Sequence, residues 1–212
     1  MPERVVPDGA GSVWMLLEAG GPGLDWLPGC TVHGWRGIEM ALVEDRGDGR
    51  PAFSDPRVPY LQCDVLEVDL GGAGVLRFEA PLVDDVWQLA VMRALHPQLS
   101  CAEAGREGSI FRTRHLHELP TGRIEGIHLA APTRAGQAPL RLRIDRRWVH
   151  LSAGEIHEQA DGGLDIHIGD DESVLLWTTS AGWWGWAAGI AGLRRRLVQA
   201  RACFPRARSR DT

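Results

Sequence analysis

Along most of this chain apolar and polar positions alternate with a period of two. "VLEVDL" (residues 65–70) alternates apolar with acidic side chains, "GGAG" follows, and "VLRFEA" (75–80) resumes the pattern. Successive side chains of a strand point to opposite faces, so alternation on both sides of a Gly-rich turn predicts an antiparallel hairpin. "LRLRI" (140–144) and "RWVHL" (147–151) repeat the form around Asp145-Arg146. The same rule predicts strands over 13–17, 38–43, 86–92, 109–113, 123–129, 155–159, 164–168 and 173–177. Up to residue 178 no long segment carries a 3.6-residue period.

The order of parts also recurs. Leu-x-x-Leu-Pro stands at 24–28 and again at 116–120, and each copy leads through a turn-rich stretch into a hairpin, an acidic or polar bend and two more strands. This predicts a single β domain, 1–178, built from two related halves, 13–113 and 116–178. The expected fold is all-β and mainly antiparallel, a pseudo-duplicated sandwich or barrel of about ten strands, either of which hides most strand edges. Pro28 and Pro120 have no N–H to donate, so each is expected to end a ladder or sit at a strand entrance, with Leu24, Leu27, Leu116 and Leu119 plugging the core beside them. Beyond 178 the expectation is a Trp/Gly-rich segment, one C-terminal helix over 187–204 stopped by Pro205, and a basic tail.

Charge divides along the same boundary. All 23 basic residues are Arg, which points to a GC-rich bacterial genome, and the net charge is −5. Residues 194–212 hold seven Arg against one acid, leaving 16 Arg against 27 acids in the rest. An acidic body repels phosphate, so it is not expected to bind nucleic acid and suits a basic protein partner instead. The uncharged stretch 174–193, followed by three Arg, is long enough to raise membrane contact through 174–196 as an alternative. Trp183, Trp184 and Trp186 within it are candidate interface residues. The four cysteines are widely spaced and form no C-x-x-C, and the apolar run 13–17 is too short for a secretory signal, so reduced thiols and a cytoplasmic location are expected.

Few positions carry recognisable chemistry. P-loop, G-x-G-x-x-G, H-E-x-x-H and G-x-S-x-G patterns are absent. The stretch 154–171, "GEIHEQADGGLDIHIGDD", stands out. A three-residue loop at Asp161-Gly162-Gly163 pairs Ala160 with Leu164, Glu158 with Ile166 and Ile156 with Ile168. Glu155, His157, Asp165 and His167 then share the face away from the apolar residues, with His157 opposite His167. Two imidazoles and two carboxylates that close are a candidate site for zinc or another divalent metal. A two-residue loop would scatter them, because a one-residue slip turns every side chain over. His115-x-His117 with Glu125 resembles the metal motif of the cupin family, which implies a metal-binding β-barrel. Gly108 lies one residue too far from His115 for that motif, and the family's second motif is missing. Cys30 near His33 reads as a buried thiol, and Asp84-Asp85 and Asp170-Asp171-Glu172 as solvated acidic corners. The leading expectation is therefore a small non-enzymatic binding or accessory protein of immunity or adaptor type that needs no cofactor. A metal-dependent enzyme or metal-binding barrel is the alternative.

Overall fold

The computed structural model describes residues 23–45, 47–101, 108–129, 139–159, 161–168 and 171–180, and the backbone of two N-terminal strands, β1 (Val5–Pro7) and β2 (Val13–Leu16). The chain divides into compact units Met1–Thr179 and Ser180–Thr212. Beyond Ser180 the second lies outside the described residues, and with it the expected helix and Trp183, Trp184 and Trp186.

The remaining strands are β3 (Thr31–Val32), β4 (Gly34–Met40), β5 (Leu61–Asp69), β6 (Val75–Glu79), β7 (Leu82–Val83), β8 (Val86–Trp87), β9 (Ala90–Ala94) and β10 (Phe111–His115). They continue with β11 (Gly122–Leu129), β12 (Leu140–Ile144), β13 (Arg147–Glu158), β14 (Leu164–Ile168) and β15 (Val174–Ser180). All but β7 and β8 join one large sheet, in the order β1-β2-β9-β6-β5-β15-β13-β12-β11-β3, with β4 pairing both β5 and β10 and β14 pairing β13. The all-β, antiparallel expectation holds. Among the described residues the sheet is nevertheless open rather than a closed barrel. Its β11–β3 ladder spans only Gly122↔Val32 and Arg123↔Thr31 before His33 donates its N–H to Asp69 of β5 instead.

Two strands organise the sheet. β5 pairs β4 along most of its length, β6 through Leu66–Asp69 and β15 through Leu61–Cys63. β13 pairs β12 through its first half and β14 through its second. Their inward side chains meet in one core with Trp35, Leu66, Val68, Phe78, Ile124, Leu142, Val149 and Leu151. The alternation that predicts strands is thus the alternation that fills this core.

Local chemistry fixes the corners. Asp145-Arg146 and Asp84-Asp85 both take positive φ at each residue (44° and 65°, 51° and 61°). These are the two-residue turns whose twist matches right-handed strands. The acidic corner at 84–85 is therefore a hairpin turn between β7 and β8. Both Leu-x-x-Leu elements form the same turn, with Leu27 N–H bonded to Leu24 O at 3.0 Å and Leu119 N–H to Leu116 O at 3.2 Å. All four leucines are buried, and Trp35 donates its indole N–H to Pro120 O at 2.8 Å. The last strands of the two expected halves pair differently: β10 returns to β4, whereas β15 lies between β5 and β13. No helix among the described residues is long and apolar enough to cross a membrane, and the uncharged stretch from 174 begins as strand β15.

Candidate metal centre

The β13–β14 hairpin carries the candidate ligands. Its observed register is Gly154↔Ile168, Glu155↔His167, Ile156↔Ile166, His157↔Asp165 and Glu158↔Leu164. This corrects the expected pairing by two residues. Gln159 N–H bonds Gly163 O at 2.8 Å, and Gly162 rather than Gly163 takes the left-handed conformation, with φ 76°. The loop therefore starts one residue earlier, and His157 faces Asp165 rather than His167. The partner moves by two residues, so the side-chain parity is unchanged, and Glu155, His157, Asp165 and His167 still share one face.

Backbone approach sets how tightly this face is held. A Cβ at Gly154 would sit 2.3 Å from His167 O, so only glycine lets β14 lie this close to β13. Gly154 also donates its N–H to Ser173 O at 2.8 Å, which draws the bend at 171–173 over the hairpin. That bend delivers Asp171, which the sequence shows only as part of an acidic corner.

Asp171 joins the two imidazoles. His157 Nε2 lies 2.7 Å from Asp171 Oδ2, and His167 Nδ1 lies 3.6 Å from the same oxygen. The rings meet edge to face, 4.8 Å between centroids. One donor atom from each of His157, His167 and Asp171 lies within 4.8 Å of the others, the only such group of three or more metal-ligating side chains among the described residues. Around a tetrahedral zinc ion, ligand atoms stand roughly 3.4 Å apart, a spacing that falls within the range these three donor atoms span. Each ring presents its other nitrogen to a carboxylate: His157 Nδ1 lies 3.9 Å from Glu155 Oε1, and His167 Nε2 lies 3.4 Å from Asp165 Oδ2.

The cluster concentrates negative charge. Burial first, and then the charge of Asp171, raise the Glu155 carboxyl above its ordinary value. At His157 burial opposes protonation, but the hydrogen bond to Asp171 and the charges of Glu155, Asp171 and Asp165 outweigh it and raise the imidazole. No arginine pairs with Glu155, Asp165 or Asp171 among the described residues. Beside the bend, Glu172 also lines a cavity of about 220 Å³ with Asp64, Glu79, Ala80, Pro81 and Trp87.

Neither protein-family models, curated proteins nor solved structures give a match to this chain.

The other sequence candidates do not assemble. His115 and His117 stack on each other, 5.6 Å between centroids, and Glu125 is paired with Arg143 at 2.9 Å. The cupin-like trio is not brought together. The Cys30 thiol donates to Trp26 O at 3.6 Å, while the His33 ring stands against Gly71. Sequence reasoning missed the cluster on buried Glu39, where Arg112 and Arg114 converge on one carboxylate. The signal was the alternation in "FRTRH" (Phe111–His115), which places both arginines on one face of β10.

Proposed function

We propose that the protein binds a divalent transition-metal ion through His157, His167 and Asp171. The observation that carries this reading is the convergence of the three donor atoms, from two strands and a bend, within 4.8 Å. Two imidazoles and one carboxylate suit zinc or ferrous ion better than magnesium or calcium, which prefer all-oxygen sites. Three protein ligands leave one position of a tetrahedral ion for water or another ligand. His167 is half exposed, so that position opens to solvent. A protein-docking role rests on charge balance alone, and its candidate residues Trp183, Trp184 and Trp186 lie outside the described residues.

The test is equilibrium dialysis of the intact chain against micromolar zinc, followed by elemental analysis. The expected result is one zinc per chain, lost in His157→Ala/His167→Ala. No retained zinc, or equal retention by the double variant, contradicts the reading.

A further inference from the structure

Resting on that metal reading, we infer that Glu155 and Asp165 are not ligands but positioning residues that fix opposite ring nitrogens of His157 and His167 on the ion. Same-face neighbours along a strand are two residues apart, so each imidazole has a carboxylate two positions away on its own strand. Glu155 precedes His157 on β13, and Asp165 precedes His167 on β14. The antiparallel register sets these pairs crosswise, Glu155 opposite His167 and His157 opposite Asp165. Acid and imidazole then alternate around four corners, and the two rings converge on Asp171.

The ring orientations follow. His157 turns Nε2 to Asp171 at 2.7 Å and Nδ1 to Glu155 at 3.9 Å. His167 does the reverse, with Nδ1 to Asp171 at 3.6 Å and Nε2 to Asp165 at 3.4 Å. A carboxylate facing the outer nitrogen holds a proton there, which leaves the inner lone pair for the metal and makes the imidazole a stronger donor. His157 therefore ligates through Nε2 and His167 through Nδ1. The Glu155 contact is too long for a hydrogen bond, and a small ring rotation closes it once Asp171 turns to the ion. Glu155 and Asp165 stand outside the group whose donor atoms lie within 4.8 Å of one another. Opposed pairs on an exposed strand face usually lack supporting partners of this kind, and here the strand period supplies them.

The test uses the intact, zinc-loaded, ¹⁵N-labelled chain, with long-range proton–nitrogen correlations reporting which ring nitrogen bears hydrogen. The expected result is hydrogen on Nδ1 of His157 and on Nε2 of His167. Glu155→Gln and Asp165→Asn keep size and fold but remove the charge, and each is expected to weaken zinc affinity roughly 10- to 100-fold. The same tautomer at both rings overturns the assignment, as does zinc affinity within about twofold of the parent in both variants. A lower metal coordination number in Glu155→Gln by X-ray absorption also overturns it, by making Glu155 a ligand. If the parent chain retains no zinc, the metal reading falls and takes this assignment with it. If zinc is retained but both rings bind through Nε2, only the positioning roles fall.

Discussion

Glu39 and Asp171 both gather titratable neighbours, and what surrounds them differs in kind. Glu39 is 1% exposed, and its oxygens accept from Arg112 Nε at 2.6 Å and from Arg114 Nε and Nη2 at 2.7 and 3.0 Å. Arg114 continues to Glu118, and Arg112 lies over the Phe53 ring at 4.1 Å. Hydrogen bonds to Glu39 and Glu118 push the Arg114 guanidinium further above its already high value, so it never gives up its charge. Asp171 is met by imidazoles, which are cationic only when protonated, and Glu155 and Asp165 stand nearby. A carboxylate saturated by permanent cations is part of the scaffold. One whose neighbours are imidazoles and other acids leaves room for a cation from solution.

The largest effect that sharpens this contrast is expected at the saturated cluster. Arg114→Ala leaves the buried Glu39 carboxylate with Arg112 alone and is expected to cost about 3 kcal/mol in urea unfolding, with or without zinc. At the open cluster the sign reverses on adding metal. Zinc at a hundredfold excess over its dissociation constant is expected to stabilise the chain by about 2.7 kcal/mol, an increment that vanishes in His157→Ala/His167→Ala. Equal stabilisation of that variant would erase the contrast. Gly154→Ala drives a Cβ into His167 O and is expected to cost about 2 kcal/mol while loosening zinc binding, because β14 must move away. The smallest effect is expected from His157→Ala without metal, within about 0.5 kcal/mol, since the imidazole is partly exposed and removes no core packing.

A separate pH signature comes from His150. Its ring stacks on Trp177 at 4.9 Å, and burial followed by the Arg141 charge pushes its value down to about 4. The unfolded chain therefore binds a proton that the folded chain refuses. Stability from this residue is complete above the ordinary histidine range and is lost as pH falls from about 6.5 to about 4. Urea midpoints measured across that window are expected to fall less steeply in His150→Phe than in the parent.

The hairpins and the core leucines were legible because alternation and turn chemistry report directly on burial. "VLEVDL" covers the second half of β5 and "VLRFEA" contains β6, and Leu24, Leu27, Leu116 and Leu119 are core as expected. β4 was only half legible: its inward positions are Trp35, Gly37 and Glu39, and a buried acid breaks the apolar pattern. β13 read as two strands because Ser152-Ala153-Gly154 looks like a break, yet it runs on while its partner changes from β12 to β14. The shared face of the candidate ligands was legible, since parity survives a two-residue shift. Their pairing was not, because the sequence allows the left-handed glycine at 162 or 163. Asp171 was illegible for another reason: a bend held by the Gly154–Ser173 bond places it, and no periodicity encodes such a contact.

The most direct measurement is anomalous diffraction from crystals of the intact chain grown with zinc. The account predicts one peak within about 2.2 Å of His157 Nε2, His167 Nδ1 and an Asp171 oxygen. No peak at this corner, or a zinc ion held elsewhere while His157 and Asp171 remain bonded to each other, would contradict it.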